Sequence, residues 1–201
     1  MRAFHDFGRR IGEKLIYPPA RLIGRLGIDP MVFTLGGFGL AVGAGVAFGF
    51  GLFRLGACLV LAAGLADMVD GAVARVNERG SEFGAFMDSV VDRYSEAAYL
   101  TGLIYFYAAA ADATMTLLAA LVLSGSVFVS YTKARAECFI ESCKVGIMER
   151  PERVILLALG YLVGGYGPFV ALLLLAVLSQ FTAIQRIWYT RGRLLSRKPR
   201  K

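Results

Sequence analysis

The sequence predicts an all-α integral membrane protein with six transmembrane helices, and three observations support this fold class. Hydrophobic residues make up 57% of the 201 residues, whereas charged residues make up only 18%. An average soluble domain is about half apolar and about one quarter charged, so the composition is shifted towards that of a membrane protein. The other two observations are a series of apolar segments and a one-sided distribution of lysine and arginine.

Six apolar segments divide most of the chain, and most of them approach the roughly 20 residues that a helix needs to cross about 30 Å of hydrocarbon. They run over residues 30–52, 55–74, 83–109, 113–129, 154–166 and 169–188. Asp29 can cap a helix that has Pro30 at its first position, and Glu149 with Pro151 forms a similar signal before the fifth segment. Glycines and a proline at 164–168 predict a tight turn between the last two segments.

The basic residues lie mainly at the two termini and in the even-numbered connections, which all fall on one side of the membrane if each apolar segment crosses it. Six of the 22 precede residue 29, two lie in the second-to-third connection, five in the fourth-to-fifth connection and seven from Arg186 onward. Only Arg54 lies on the opposite side, and Arg93 lies within the third segment. By the positive-inside rule, both termini face the cytoplasm and the protein lies in the cell (inner) membrane. A nucleic-acid-binding protein would not segregate its charge in this way, so no nucleic-acid partner is expected.

Residues 1–28 predict an amphipathic juxtamembrane helix on the cytoplasmic side. Apolar residues recur there at near-helical spacing between six basic residues, which suits a helix in the headgroup layer of anionic lipid or one packed on the protein. We find no internal repeat, so residues 1–201 are expected to form a single domain. Within it, residues 29–190 form the six-helix bundle and residues 191–201 a basic cytoplasmic tail.

Four aspartates interrupt the second and third apolar segments. Asp67 and Asp70 are three residues apart, and Asp88 and Asp92 are four apart, so each pair shares a helix face. In an antiparallel hairpin all four would meet at one depth, one to two turns inside the cytoplasmic boundary. A charge inside a transmembrane segment costs at least about 3 kcal/mol and usually marks function. An all-oxygen cluster suits Mg²⁺ or Mn²⁺, and two such ions would balance four carboxylates.

The cluster predicts chemistry at phosphorus. Paired metal ions stabilise the attacking and leaving oxygens of a displacement. The only histidine is His5 in the N-terminal segment, so an aspartate must carry any proton transfer. Small residues at Gly71, Ala74 and Gly84 follow or precede the aspartates on the same faces. They leave room for a flat or extended ligand, although close helix packing through small residues is the alternative.

Residues 67–92 follow the pattern D-x2-D-G-x2-A-R-x8-G-x3-D-x3-D, whose fixed positions are Asp67, Asp70, Gly71, Ala74, Arg75, Gly84, Asp88 and Asp92. This pattern resembles the signature of the CDP-alcohol phosphotransferase family of integral membrane enzymes. The resemblance implies CDP-diacylglycerol as substrate, metals on its pyrophosphate, CMP as leaving group and a homodimer.

The same resemblance implies a role for each residue of the pattern. Asp67, Asp70 and Asp88 would hold the metals, and Asp92 would both bind metal and deprotonate the acceptor hydroxyl. The CMP portion would be surrounded by Gly71, Ala74, Arg75 and Gly84.

The fourth-to-fifth connection is the expected acceptor site. Lys133, Arg135, Arg150 and Arg153 could converge into a phosphate-binding pocket, or could form a plain positive-inside loop. The elements KARAE and ERPER within this connection resemble the phosphatidylinositol phosphate synthase branch, which implies a phosphorylated polyol acceptor, inositol 1-phosphate. Phosphatidylglycerophosphate synthase, which uses glycerol 3-phosphate, is the nearest alternative, and the donor could also be an archaeal ether lipid.

Two other classes of membrane protein compete with the enzyme. A cation transporter could use the aspartates as an ion pathway, but the other apolar segments offer no matching acids to carry an ion across. A structural membrane protein would have no reason to sustain the buried charge. Both classes therefore fit the sequence less well than an enzyme.

Overall fold

The computed structural model describes residues 30–76 and 82–196, with side chains for residues 31–68 and 82–196. The predicted helix at residues 1–28 lies outside the described residues, as does the end of the basic tail at 197–201. The side chains of Asp70, Gly71, Ala74 and Arg75 also lie outside the described part of the chain.

The described chain consists of six α-helices, and no strand occurs in residues 30–76 or 82–196. The helices are α1 Pro30–Gly49, α2 Phe53–Val76, α3 Glu82–Ala109, α4 Ala113–Glu137, α5 Arg150–Val163 and α6 Gly167–Leu195. They confirm the predicted all-α class and match the six apolar segments in order. α4 and α6 extend well beyond the predicted ends at residues 129 and 188, because an apolar pattern ends where a helix leaves hydrocarbon and the backbone helix continues through polar residues.

Three of these helices are long and apolar enough to cross a bilayer: Met31–Gly49 within α1, together with α4 and α6. α2 and α3 carry the charged residues of the aspartate pattern, which lowers their hydropathy. α5 has 14 residues and spans about 21 Å at 1.5 Å per residue, less than the hydrocarbon thickness. Crossing of the membrane by all six helices therefore stays a prediction.

α1 packs against both α2 and α3, which replaces the simple two-helix hairpin expected from the sequence. α1 and α3 approach closely: a Cβ atom on Gly102 would collide with the backbone of Gly45, and a Cβ atom on Gly45 would collide with the backbone of Ala98. α2 also packs on α5, and α3 packs on α4. Because α2 and α3 both pack on α1, their acid-bearing ends converge although the two helices do not pack against each other along their whole length.

The connection between α4 and α5 is held against α6. Thr182 Oγ1 accepts hydrogen bonds from the backbone N–H groups of Ile147 and Met148, at 3.4 and 3.2 Å. Arg186 Nε donates to the Val145 carbonyl at 2.8 Å. These bonds fix the position at which α5 begins, and therefore the place of Arg150, its first residue.

Candidate functional site

Three of the four predicted aspartates come together where α2 and α3 converge. Asp67 on α2 and Asp88 and Asp92 on α3 each offer a carboxylate oxygen, and these oxygens all lie within 4.8 Å of one another. Asp88 and Asp92 are one helical turn apart, which places both on the α3 face that Asp67 approaches. All three side chains are partly buried.

Arg150 bridges two members of this cluster. Its Nη1 lies 2.5 Å from Asp67 Oδ2 and 2.8 Å from Asp92 Oδ1. Arg93 Nη1 lies 3.7 Å from Asp92 Oδ2 and also donates to the Ser89 carbonyl. Two guanidinium groups thus face three carboxylates, which leaves the cluster with a net negative charge when all of these groups are ionised.

The donor set fits a hard divalent cation. Oδ1 of Asp88 is buried and has no hydrogen-bond partner among the described residues. An unpaired buried carboxylate oxygen is costly, and a cation held by oxygen ligands would remove that cost. Oxygen ligands suit Mg²⁺ or Mn²⁺, whereas a zinc site would usually include histidine or cysteine. Asp67, Asp88 and Asp92 are the described residues that could hold such an ion.

A cavity of about 180 Å³ adjoins the cluster. Its charged lining residues are Asp92, Arg93, Glu96, Lys133, Glu149, Arg150, Arg153 and Arg186. Typical pockets for drug-sized ligands have volumes of about 300 Å³ or more, so this cavity suits a smaller polar molecule. Cations outnumber acids in its lining, which favours an anionic occupant.

The structure brings three of the four predicted basic residues to this cavity. Lys133, Arg150 and Arg153 line it. Arg135 does not: its side chain is exposed, and its guanidinium lies 4.8 Å from the centroid of the Phe139 ring. Residues two apart on a helix point about 200° from each other, so Lys133 and Arg135 of α4 cannot face the same cavity.

Arg153 is held by an acid that sequence reasoning missed. Both carboxylate oxygens of Glu96 accept from Arg153 at 2.7–3.0 Å, and its Nη1 donates to the Met148 carbonyl at 3.0 Å. Each side chain of the pair is only 4% exposed. Glu96 continues the spacing of Asp88 and Asp92 by one further turn of α3, which is the sequence signal that could have found it.

Arg186 is the second residue that sequence reasoning missed, because it was counted with the C-terminal basic tail. It is 2% exposed and donates to two backbone carbonyls, Val129 at 2.5 Å and Val145 at 2.8 Å. A longer contact of 3.4 Å joins it to Glu149 Oε1. Thr182 lies one turn earlier on the same buried face of α6, and this periodicity is the signal that distinguishes Arg186 from the tail.

Gly84 is the one predicted CMP-binding residue whose burial is described. It lies on α3, one turn before Asp88, and is partly buried. This position places it on the cluster side of α3, next to the carboxylates that the sequence assigns to metal.

Comparison with known proteins agrees with the geometry of the site. The sequence profile described as CDP-alcohol phosphatidyltransferase matches residues 29–187. An archaetidylinositol phosphate synthase from Methanothermobacter thermautotrophicus is 38% identical over 174 residues, which cover 85% of this chain and 87% of the relative. A phosphatidylinositol phosphate synthase from Mycolicibacterium smegmatis is 38% identical over 183 residues, which cover 87% of this chain and 82% of the relative.

Two crystal structures of the Mycobacterium tuberculosis phosphatidylinositol phosphate synthase share the fold. One has CDP-DAG bound and superposes with a TM-score of 0.82 and 33% identity, covering 93% of this chain and 100% of that one. The other, in complex with manganese and citrate, also has a TM-score of 0.82 and 33% identity, covering 92% and 93%. With its membrane-length helices, its aspartate cluster and a profile match over most of its length, the chain belongs to the CDP-alcohol phosphatidyltransferase family of membrane enzymes.

Proposed function

We propose that this chain transfers the phosphatidyl group of CDP-diacylglycerol to a hydroxyl of inositol 1-phosphate and releases CMP. The observation that carries the proposal is the position of Asp92, which belongs both to the carboxylate cluster and to the lining of the cationic cavity. Transfer between a pyrophosphate donor and a phosphorylated alcohol needs a group that touches both sites. The CDP-DAG complex of the M. tuberculosis relative supports the identity of the donor.

The donor site consists of the aspartates and the small residues beside them. Asp67, Asp70, Asp88 and Asp92 hold two Mg²⁺ or Mn²⁺ ions, and the CMP portion lies among Gly71, Ala74, Arg75 and Gly84. When bound, the ions neutralise the pyrophosphate and the leaving group. The unpaired oxygen of Asp88 and the manganese complex of the M. tuberculosis relative support this assignment.

The acceptor phosphate binds in the cationic cavity. Lys133, Arg150 and Arg186 supply its positive charge, and arginine forks suit phosphate oxygens. Arg153 acts chiefly as a positioning residue, because four of its five N–H groups are directed to Glu96 and the Met148 carbonyl. Arg135 is left out of this proposal because it lies outside the cavity.

The chemical step is a displacement at the phosphorus that carries the diacylglycerol. The Asp92 carboxylate accepts the proton of the acceptor hydroxyl, and the hydroxyl oxygen forms a bond to that phosphorus. The bond between this phosphorus and the oxygen of the CMP phosphate breaks, and CMP leaves with the electron pair. No histidine occurs in the chain after His5, and among the carboxylates that line the cavity Asp92 is the one that also belongs to the aspartate cluster, which supports its role as the base.

Two alternatives concern the substrates. The archaetidyl and phosphatidyl names of the relatives differ in the lipid but share inositol phosphate, which favours this acceptor over glycerol 3-phosphate and leaves an ether-lipid donor as the second candidate. A cavity lined by several cations favours a phosphorylated acceptor over free inositol, serine or choline.

The proposal includes a place in the cell. All six helices cross the inner membrane, with the aspartate cluster and both termini at the cytoplasmic side, and the chain forms one domain. The parity of the basic residues and the three membrane-length helices support this arrangement. A homodimer is proposed by analogy with the family.

An acceptor panel tests the proposed function. Purified protein in nanodiscs is supplied with CDP-diacylglycerol, Mg²⁺ and, in turn, inositol 1-phosphate, glycerol 3-phosphate, free inositol and serine. Among the four acceptors, we expect CMP release only with inositol 1-phosphate. We expect no release when EDTA removes the metal. Release with glycerol 3-phosphate instead would contradict the acceptor, and a parallel panel with an archaeal CDP-ether lipid identifies the donor.

A further inference from the structure

We propose that Arg150 holds the place of a cation between Asp67 and Asp92 and turns into the cationic cavity when a divalent metal binds. Metal and acceptor phosphate then bind with positive coupling, and Arg150 is the residue that couples them. The inference rests on the proposed function, because it takes Asp67 and Asp92 as metal ligands and the cavity as the phosphate site.

The contacts of Arg150 conflict with a bound metal. A single nitrogen, Nη1, lies within hydrogen-bond distance of one oxygen of Asp67 and one oxygen of Asp92. A divalent ion on the same carboxylates would lie close to the guanidinium charge, and like charges at such short range repel strongly in a partly buried site. Metal binding therefore weakens or breaks at least one of the two contacts.

Two other arginines of the cavity, Arg153 and Arg186, are held by partners that a metal would leave alone, and a third, Arg93, lies near Asp92 without bridging two acids. Arg153 is paired with Glu96 and the Met148 carbonyl. Arg186 donates chiefly to two backbone carbonyls. None of these partners is a predicted metal ligand, so Arg150 is the arginine of this set that metal binding would release.

The released guanidinium has a short path to the acceptor site. Arg150 and Asp92 line both the cationic cavity and a small second cavity beside Asp67. Nε of Arg150 is buried and has no hydrogen-bond partner among the described residues, so one of its donors is already free for a new acceptor. A phosphate in the cavity would supply the acceptor oxygens that this donor lacks.

The helix position of Arg150 favours the same exchange. Arg150 is the first residue of α5, where the helix dipole disfavours a positive charge, and the acids beside it offset that penalty. A helix N-terminus favours phosphate. When the metal takes the acids, an acceptor phosphate at the start of α5 replaces them as counter-ion. Because binding coupling is reciprocal, the phosphate must also strengthen metal binding by the same factor.

Manganese binding to protein free of CDP-lipid tests the first half of the proposal. Free Mn²⁺ is measured by electron paramagnetic resonance during titration of wild type, Arg150→Gln and Arg93→Gln in nanodiscs. Arg93→Gln is the matched control, because it removes the same charge 3.7 Å from the same Asp92 without removing a bridge. We expect Mn²⁺ to bind Arg150→Gln at least tenfold more tightly than wild type, and Arg93→Gln within threefold of wild type. Weaker binding to Arg150→Gln, or equal effects of the two substitutions, would overturn the proposal.

Binding of inositol 1-phosphate tests the second half of the proposal, the coupling between metal and phosphate. The coupling itself can be measured on the wild-type protein. By calorimetry, we expect Mn²⁺ to tighten inositol 1-phosphate binding to wild type at least tenfold, and this gain to disappear in Arg150→Gln. A gain of equal size in both proteins would mean direct metal–phosphate contact and would overturn the role of Arg150, as would the absence of any gain in wild type.

The failure of this inference can be told apart from failure of the proposed function. Asp88→Asn should weaken Mn²⁺ binding whether or not Arg150 moves. If Asp88→Asn binds Mn²⁺ as wild type does, or if neither wild type nor Arg150→Gln binds it, the metal site and the proposed function fail together with the inference. If the metal site and the acceptor panel behave as proposed but Arg150→Gln gives no gain, the inference alone is wrong.

Discussion

Each end of the helix bundle contains a cavity, and the larger of the two has fewer features of a catalytic site. The cavity at the end opposite the aspartates has a volume of about 910 Å³, and the cationic cavity about 180 Å³. The larger cavity is lined by turn residues and aromatic rings, among them Phe53, Tyr107 and Tyr161. Asp67 lies fourteen positions after Phe53 on α2, which corresponds to about 21 Å along the helix.

The difference lies in how the polar groups are satisfied. In the larger cavity the hydroxyls of Tyr107 and Tyr161 pair at 3.2 Å, and the Asp112 carboxylate accepts from the Met115 N–H at 3.0 Å as the cap of α4. At the other end, oxygen Oδ1 of Asp88 and nitrogen Nε of Arg150 are buried without a partner among the described residues. Unpaired buried groups therefore favour the end that we propose as functional, whereas cavity volume alone would favour the opposite end.

The largest expected effect is on turnover when the shared aspartate is changed. Asp92→Asn removes the proposed base, and general bases contribute roughly 10² to 10⁴-fold to rate, so we expect CMP release to fall by at least about 10²-fold. Asp112→Asn is the matched control at the opposite end, because asparagine also caps a helix. Its CMP release should equal that of wild type. Comparable losses in both variants would remove the distinction between the two ends.

The sequence predicted the aspartate cluster because the spacing of residues along a helix is enough to place each pair of acids on one face. Spacings of three and four residues place Asp67 with Asp70 and Asp88 with Asp92 on common helix faces, whatever the rest of the fold does. The same rule, applied to α4, separates Lys133 from Arg135. Grouping both by loop composition led to the expectation that they would share a pocket.

The parts that the sequence did not predict depend on distant contacts. Arg153 and Glu96 are 57 residues apart, and Arg186 reaches the carbonyl of Val129 over the same separation. No local spacing reports such pairs. The position of α1 between α2 and α3 likewise depends on the close approach of Gly45 to Gly102, which hydropathy alone does not indicate.

The second largest effect is on stability, through the buried ion pair of Glu96 and Arg153 in the lining of the cationic cavity. Glu96→Ala leaves the Arg153 charge buried without its carboxylate, and loss of one partner of such a pair costs about 3–5 kcal/mol. We expect a lower midpoint of unfolding in detergent, followed by the circular dichroism of the helices. The double variant Glu96→Ala/Arg153→Met should recover much of this loss, because it removes the unpaired charge. An unchanged midpoint in Glu96→Ala would show that the pair does not secure this end of the bundle.

A smaller effect distinguishes the inside of the cationic cavity from its outside. Lys133→Ala should raise the KM for inositol 1-phosphate about tenfold, which corresponds to about 1.4 kcal/mol, because it removes one positive charge from the proposed phosphate site. Arg135→Ala, two residues away on the exposed face of α4, should change this KM less than twofold. Steady-state CMP release at saturating CDP-diacylglycerol gives both values. Equal shifts in this KM would indicate that the basic connection between α4 and α5 serves only to orient the protein in the membrane.

The smallest expected effect belongs to the larger cavity. Tyr161→Phe removes one hydroxyl of the pair with Tyr107, and a hydrogen bond of this kind contributes about 1 kcal/mol net to folding. The Tyr107 hydroxyl can turn towards the cavity that it lines, so the cost should lie at the lower end of that range. The ring of Tyr161 still packs on Phe48 and Phe53, with centroids at 5.1 and 5.5 Å. We therefore expect a small decrease in the midpoint of unfolding with kcat and both KM values unchanged. A change in KM for either substrate would show that this end of the molecule takes part in binding. It would contradict the expectation that an end with paired polar groups does not bind substrate.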